Sequence, residues 1–176
     1  ALDIIEHIED QISVYRPTSE ISRINESLCS DWHDLSPEVY DLLWLAKKIH
    51  AQTNHAFDVT TGPLIKAWGF LQKKGRTPSP EKLAKAIACS GMKNIQFHEH
   101  EHKIRFDRPE VEINLGAIGK GWAIDKAIDL IEMEGVEDFL IHGGHSSVRS
   151  RGTRGLAEQK AENYGWPVGL RHPLFR

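Results

Sequence analysis

The hydrophobic pattern of this 176-residue chain changes period at Gly91, and this change limits the possible folds more than any other feature. Before Gly91, apolar residues recur at the spacing of amphipathic helices, and after it they alternate with polar residues, as in strands. Helices followed by neighbouring strands, with one later strand-helix-strand unit, are typical of α+β proteins. The sequence therefore predicts an α+β fold in which a mixed, mostly antiparallel sheet packs with helices.

The first half of the chain contains several helix signals. An apolar stripe runs from Leu2 to Ile12, and a short helical turn is predicted within Ser19 to Asn25. Ser36-Pro37-Glu38 and Ser79-Pro80-Glu81 each combine a hydroxyl cap, a proline at the first helical position and an acid in the first turn. Gly62 to Gly69 is predicted to form one more short helix between two glycines.

Three strands are predicted after Gly91, over Ile95 to Phe97, Ile104 to Phe106 and Val111 to Leu115. The histidine-rich segment His98 to His102 joins the first two. Its three histidines would share one face of an extended segment and could hold a divalent ion weakly. A solvated hairpin turn is the favoured interpretation, because the spacing is not that of a helical metalloprotease motif.

The rest of the chain is predicted to contain one long helix and two more strands. The helix covers Ile118 to Glu134 and ends at Gly135, and Phe139 to His142 forms the next strand. The polar, arginine-rich stretch from Arg149 to Asn163 predicts a long surface loop. Trp166 to Leu170 is predicted to be a last, weak strand.

Composition excludes several classes of protein. With 40% hydrophobic and 27% charged residues, the chain has enough apolar surface to fold around a core. Its net charge of −3 argues against a nucleic-acid partner bound by phosphate neutralisation. No apolar run approaches the ~18 residues of a membrane span. No motif pairs a nucleophile with a base, so no catalytic residue is assigned.

A glycine-spaced turn, Asn114 to Gly121, joins a predicted strand to a predicted helix. Backbone N–H groups and the positive end of the helix dipole converge at such a turn, and Lys120 adds a positive charge. The glycines could therefore admit a diphosphate. Close packing of the helix on the sheet would explain Gly116, Gly119 and Gly121 equally well, because their spacing matches neither standard nucleotide-binding motif.

A second cluster, Ala56 to Phe70, combines aromatic residues, an acid and hydroxyls ahead of a short helix. It could stack a planar ring and orient the ring's polar edge. It could also be a capped turn with a core aromatic, and the residues alone favour that interpretation.

Taken together, three motifs closely resemble the FAD:protein FMN transferases, the ApbE family. They lie in Ser13 to Asn25, Ala56 to Phe70 and Leu115 to Asp125, and they occur in the order typical of that family. The resemblance covers essentially the whole chain, and three motifs in register are more specific than any one of them. It favours the phosphate-binding interpretation of Gly116 to Gly121.

The resemblance implies an enzyme that binds FAD and Mg²⁺ and transfers FMN to a threonine hydroxyl of an acceptor protein, releasing AMP. By motif position it implies FAD contacts at Ile12, Ala56, Phe57, Asp58, Asn114 and Lys120. Ala117 would be a metal ligand through its backbone carbonyl, and Trp32 or His33 could add an aromatic contact to the flavin. The implied acceptors include subunits of membrane NADH:quinone-type redox complexes, and the implied location is the bacterial periplasm or a membrane anchor, with the cytoplasm as an alternative.

Some features depart from the family pattern. The family motif Asn-x-Gly-Gly-Asp is replaced by His142-Gly143-Gly144-His145-Ser146. The family also continues into a histidine-rich motif and an Ala-Asp-x-x-x-Thr motif that supplies metal ligands. We therefore expect residues 1–176 to be a single, partial domain that lacks the C-terminal metal-ligand segment and an N-terminal strand. A Mg²⁺-dependent FAD pyrophosphatase and a flavin-binding or structural protein without catalysis are the alternative functions.

Overall fold

The computed structural model describes residues 2–27, 31–72, 74–144, 146–154, 165–170 and 174. Two compact units are present: a larger one, Glu6–Gly119, and a smaller one formed by Ala1–Ile5 with Lys120–Arg176. Helices and antiparallel sheets make up both, so the predicted α+β class is confirmed. Among the described residues, no helix has the length and apolar character needed to span a bilayer. The interpretation of residues 1–176 as one partial domain stays a prediction.

The helices predicted in the first half of the chain are confirmed. Helices α1 to α5 cover Leu2–Ile12, Glu20–Asn25, Pro37–Gln52, Gly62–Ala67 and Pro80–Ala88, and short 3-10 turns cover Phe70–Gln72 and Met92–Asn94. The apolar stripe of α3 supplies much of the core of the larger unit, because Val39, Leu42, Leu43 and Ala46 are all completely or almost completely buried.

The two predicted serine caps differ in the structure. Ser79 caps α5 as predicted, since its hydroxyl accepts a hydrogen bond from the Lys82 backbone N–H. Ser36 makes no such bond to α3. Its hydroxyl instead donates to the Glu20 carboxylate at 2.8 Å and accepts from the Gln11 side chain at 3.3 Å. A partly buried carboxylate competes successfully for this hydroxyl because charge-assisted hydrogen bonds are stronger than neutral ones.

A three-stranded antiparallel sheet in the larger unit has the order β1-β3-β2, with β1 at His33–Asp34, β2 at Ile95–Phe97 and β3 at Lys103–Phe106. Strands β2 and β3 were both predicted, and residues 98–102 connect them as a turn. Strand β1 was missed because two polar residues carry no alternating pattern. Helix α3 packs on this sheet through Trp44, whose ring lies edge-on to Phe97 at 5.3 Å.

Val111 to Leu115 does not form a paired strand, so that prediction is wrong. The predicted alternation of buried and more accessible residues is nevertheless present. Val111, Ile113 and Leu115 are at most 2% exposed, yet the segment pairs with no strand among the described residues. The Asn25 side chain takes the place of a neighbouring strand: its Nδ2 donates to the Ile113 carbonyl at 2.9 Å, and its Oδ1 accepts from the Ile113 N–H at 2.8 Å. An amide side chain can satisfy one residue in this way, and so no ladder is required.

The smaller unit contains α6 at Gly119–Met133 and a hairpin of β4, Phe139–Gly143, with β5, Ser147–Arg151. The predicted long helix and its Gly135 terminus are confirmed, since Gly135 has a φ of 77°. Strand β5 contradicts the loop predicted from Arg149. It was missed because all but its first residue are exposed, so no apolar face marks it. Residues 155–164 of that predicted loop lie outside the described residues.

The last predicted strand, Trp166 to Leu170, is also wrong. This segment belongs to no ladder among the described residues. The Trp166 indole N–H donates to the Arg151 carbonyl at 2.9 Å. Leu170 is 94% exposed, so the apolar positions of this segment do not form a buried strand face.

Replacing Asn25 by alanine tests how the Val111–Leu115 segment is held. Asn25→Ala leaves the N–H and C=O of a buried residue, Ile113, without partners, and we expect a loss of about 2 to 4 kcal/mol in the free energy of unfolding. Urea denaturation measures this loss. Gln52→Ala, at the exposed end of α3, is the control and should change stability by less than about 0.5 kcal/mol. An equal effect of both substitutions would contradict the assignment.

Candidate functional site

One backbone hydrogen bond joins the second motif to the first residue of the glycine turn. The N–H of Asn114 donates to the carbonyl of Val59 at 2.7 Å, and Val59 is 1% exposed. The predicted FAD contacts Ala56, Phe57 and Asp58 immediately precede Val59, and the third motif begins immediately after Asn114. The larger unit therefore brings the Ala56 and Asn114 segments to one place.

The carboxylate of Asp58 is the centre of a hydrogen-bond network. Its Oδ1 accepts from the backbone N–H and the hydroxyl of Thr60, at 2.7 and 2.6 Å, and its Oδ2 accepts from the Met92 N–H at 3.1 Å. The Thr60 hydroxyl oxygen in turn accepts from the Gly91 N–H at 2.5 Å. Thr60 is completely buried. This network fixes the backbone that carries the predicted flavin contacts.

His50 holds the same segment from the end of α3. Its Nδ1 lies 2.6 Å from the Phe57 carbonyl oxygen and 3.6 Å from Asp58 Oδ2. Because a carbonyl can only accept, Nδ1 must carry the proton. The chain reaches Ala56 through Asn54 and His55, whose φ values of 51° and 67° lie in the left-handed region. Ala56 itself is exposed and Phe57 is half-buried, so both can be reached from solvent.

The glycine turn begins with an Asx turn. Asn114 Oδ1 accepts from the Gly116 N–H at 2.9 Å, and the N–H groups of Ile118 and Gly119 both donate to the Leu115 carbonyl. Gly116 and Ala117 are exposed, although the Gly116 N–H is already bonded to Asn114 Oδ1. Packing explains Gly119, because a Cβ there would lie 2.7 Å from Ile12 Cδ1. Packing therefore accounts for Gly119, and the phosphate-binding role of the turn stays a prediction.

A cavity of about 180 Å³ lies beside Asn114 in the larger unit. We call it the Asn114 cavity; it is lined by Val14, Ser22, Asn25, Glu26, Gly62, Lys66, Leu71, Glu112, Ile113 and Asn114. Gly62 permits close approach of α4, since a Cβ there would lie 2.9 Å from the Glu112 carbonyl oxygen. Of the predicted FAD contacts, Asn114 alone lines this cavity.

An ion pair between Lys66 and Glu112 forms part of the wall of the Asn114 cavity. Sequence reasoning missed both residues. Lys66 lies inside the second motif and Glu112 lies before the third, and forty-six positions separate them along the chain. No local pattern predicts such a pair. The opposite charges of the two side chains were the one available signal, and charge alone does not predict which segments meet.

Trp32 and His33 lie at a different cavity, of about 390 Å³, together with Glu20, Arg23, Ile24 and Asp34. The Trp32 ring is covered by the Arg105 guanidinium at 4.9 Å and is edge-on to His98 at 5.2 Å. The Ser27 hydroxyl lies 2.9 Å from His33 Nε2. Neither aromatic residue lines the Asn114 cavity, and their predicted contact with flavin stays a prediction.

Lys120 belongs to the smaller unit, where its ammonium group donates to the Ser146 hydroxyl at 2.5 Å. Ser146 follows the Gly143-Gly144 pair of the turn between β4 and β5. A Cβ on Gly143 would make a tight contact of 3.3 Å with Ile124 Cδ1, so the glycine helps the end of β4 lie close to α6. His145, in the same turn, lies outside the described residues.

The fit to a metal ion is limited. The described residues hold no group of three or more His, Cys, Asp or Glu side chains that could bind one. A backbone carbonyl such as that of Ala117 is a hard oxygen donor of the type that Mg²⁺ accepts, but one such donor does not complete an octahedral site. The predicted FAD contacts and the Ala117 ligand both stay predictions.

Comparison with known proteins gives consistent matches. The model of the ApbE family matches residues 1–175. The FAD:protein FMN transferase of Vibrio cholerae is 30% identical over 172 residues, which cover 97% of this chain and 49% of that protein. The protein of the same name from Escherichia coli K12 is 29% identical over 170 residues, covering 94% of this chain and 46% of that protein. The chain therefore spans about half the length of these curated relatives.

Solved structures agree. The flavin transferase ApbE from Vibrio cholerae superposes with a TM-score of 0.80 at 30% identity, covering 86% of this chain and 49% of that one. The ApbE protein from Thermotoga maritima gives a TM-score of 0.79 at 28% identity, covering 87% and 50%. These matches confirm the family resemblance inferred from the three motifs.

Thr60→Val tests the Asp58 network. Valine keeps the side-chain shape but leaves the Gly91 N–H without an acceptor, and we expect the free energy of unfolding to fall by about 1 to 3 kcal/mol. Thr60→Ser retains the hydroxyl and is expected to lose less than Thr60→Val. Urea denaturation of both variants measures the difference. A serine variant as unstable as the valine variant would show that methyl packing, rather than the hydroxyl, dominates at this position.

Proposed function

Because the chain belongs to the ApbE family, we propose that it is part of an enzyme that transfers FMN from FAD to a threonine hydroxyl of an acceptor protein. The observation that carries this proposal is the Val59–Asn114 hydrogen bond, which joins the second motif to the residue before the third in a chain that matches the family over residues 1–175. The relatives are named FAD:protein FMN transferases, which supports the transfer of FMN from FAD to a protein in those relatives.

In the proposed reaction, the acceptor hydroxyl oxygen attacks the phosphorus atom on the FMN side of the FAD diphosphate. A phosphorus–oxygen bond to threonine forms, the bond to the bridging oxygen breaks, and AMP leaves with that oxygen. The hydroxyl proton passes to a base or to water. Such a reaction requires positioning and neutralisation of the developing charge more than covalent help from the protein.

The chain's own residues would bind and orient FAD. Ala56 and Phe57 offer solvent-accessible contacts, and Asp58 keeps their backbone in place through its bonds to Thr60 and Met92. Asn114 presents its side chain at the Asn114 cavity, and Ile12 supports the glycine turn at Gly119.

Charge neutralisation is assigned to Lys120 and to a metal ion. The Lys120 ammonium would donate to a phosphate oxygen in place of the Ser146 hydroxyl that it contacts here. Bound Mg²⁺ would neutralise charge on the diphosphate. The exposed Ala117 would offer the ion its carbonyl oxygen.

The acceptor is proposed to be a flavoprotein, of the kind found among the subunits of membrane NADH:quinone-type redox complexes. The proposed location is the bacterial periplasm or its membrane surface. Detection of the flavinylated acceptor in a periplasmic fraction would support this location, and an acceptor confined to the cytoplasm would contradict it.

A labelling assay tests the reaction itself. We expect the protein encoded by the whole gene, given FAD, Mg²⁺ and an acceptor, to attach FMN covalently to the acceptor threonine and release AMP. In-gel flavin fluorescence and mass spectrometry measure the product, and removal of Mg²⁺ with a chelator should stop the reaction. Replacing the acceptor threonine by valine is the control. Free FMN without labelling would identify an FAD pyrophosphatase instead, and FAD binding with no turnover would leave only a flavin-binding protein.

Lys120→Ala tests one residue of the proposed site. Loss of a charge-assisted hydrogen bond to phosphate should weaken FAD binding by about 1 to 3 kcal/mol, or about 5-fold to 150-fold in Kd. Quenching of flavin fluorescence measures the Kd. Lys126→Ala is the matched control, because Lys126 lies on the same helix and places its ammonium 4.7 Å from the Trp122 ring centre. An unchanged Kd for Lys120→Ala would remove Lys120 from the site.

A further inference from the structure

A third concave surface of the larger unit is not used by the proposed reaction. It is a groove of about 330 Å³ between α4 and α5, and it shares Lys66 and Glu112 with the Asn114 cavity. We call it the basic groove and define it by its four cationic residues, Lys66, Arg76, Lys82 and Lys85. All four are exposed. Pro63, Ala67 and Ala86 give the groove an apolar lining.

Two of the four cations are already paired with carboxylates. Lys66 pairs with Glu112, and Lys85 pairs with Glu110 at 2.8 Å. The hydrogen bond to Glu110 raises the pKa of Lys85, so this lysine stays charged. No carboxylate among the described residues of Glu6–Gly119 lies within ion-pair distance of Arg76 or Lys82. Arg76 and Lys82 are therefore the two cations of the basic groove that are available to pair with a carboxylate of another molecule.

The sequence concentrates positive charge at this groove. Residues 63–85 contain six Lys and Arg but one Glu, in a chain whose net charge is −3. Within residues 6–119, the remaining positions carry fifteen Asp and Glu against eight Lys and Arg. The positive potential is thus local, and at physiological ionic strength it is screened beyond about 8 Å.

An exposed aromatic pair adjoins the cationic residues in the chain. Trp68 and Phe70 stack at 6.4 Å with an interplanar angle of 10°, and they are 36% and 59% exposed. The backbone N–H of Arg76 donates to the Trp68 carbonyl at 2.9 Å, which holds the arginine beside the pair. Aromatic residues and arginine are enriched in protein interfaces and in their hot spots.

We propose that the basic groove, together with Trp68 and Phe70, binds an acidic segment of a protein partner. Carboxylates of that segment pair with Arg76 and Lys82, and its apolar side chains contact the groove lining and the aromatic pair. A long polyanion such as RNA, or an anionic membrane, would also face the acidic remainder of the unit, whereas a short segment meets the local positive charge alone. This interaction goes beyond flavin transfer and does not depend on it.

Fluorescence anisotropy tests the proposal with the full 176-residue chain. The probe is a fluorescein-labelled peptide in which glutamate alternates with leucine, and the peptide with glutamine in place of glutamate is its control. We expect the acidic peptide to bind, and its Kd to rise with salt concentration. Arg76→Glu combined with Lys82→Glu should raise the Kd by about tenfold or more.

The matched control combines Lys48→Glu with Lys93→Glu, which changes the net charge equally at exposed positions outside the groove. Its Kd should change by less than about twofold. Circular dichroism would detect any disturbance of folding by charge reversal. In that case the double variant with Arg76→Gln and Lys82→Gln, which only removes the two charges, replaces the glutamate variant. The proposal is overturned if the groove double variant and the control double variant, each with two glutamate substitutions, weaken peptide binding equally. It is also overturned if the variant with Arg76→Gln and Lys82→Gln binds the peptide as tightly as the parent chain does. Tighter binding of single-stranded RNA or phosphatidylserine vesicles than of the peptide, through Arg76 and Lys82, would overturn it as well.

Discussion

The hydrogen bond from Asn114 to Val59 is the interaction on which the candidate site depends. It joins a segment that follows α3 to a segment that precedes α6, across more than fifty positions of the chain. Beside this bond, the Asn25 side chain satisfies the backbone of Ile113. Within the larger unit, a side chain of the first motif and a carbonyl of the second motif thus both bind the segment that leads into the third motif.

Rigid support behind accessible groups is the common feature of this site. Asp58 and Thr60 use their hydrogen-bonding capacity inside the protein, while Ala56, Gly116 and Ala117 remain exposed. A backbone that is already fixed loses less conformational entropy when a ligand binds, and binding is therefore more favourable. The Lys66–Glu112 ion pair lines both the Asn114 cavity and the basic groove, so these two concave surfaces share one wall.

Much of the fold was predictable, because long periodic patterns and capping residues act locally. Helices α3 and α6, strands β2 and β3 and the Ser79 cap all follow from neighbouring residues. The errors arose where a distant partner decided the outcome. Val111–Leu115 has the alternation of a strand but is paired by Asn25, and β5 lacks the alternation of a strand but pairs with β4. Ser36 has the form of a cap, but Glu20 binds its hydroxyl.

The sequence by itself determined the family, the α+β class and the residues for which a flavin-binding role is proposed, because motif order and hydrophobic period are properties of the chain. Tertiary structure alone decided which of these residues are open to a ligand and which are occupied by internal hydrogen bonds. It also decided that Lys66 meets Glu112 and that Arg76 is held beside Trp68. The reason is physical: ion pairs and hydrogen bonds depend on distances of a few ångströms, and spacing along the sequence does not specify those distances between remote segments.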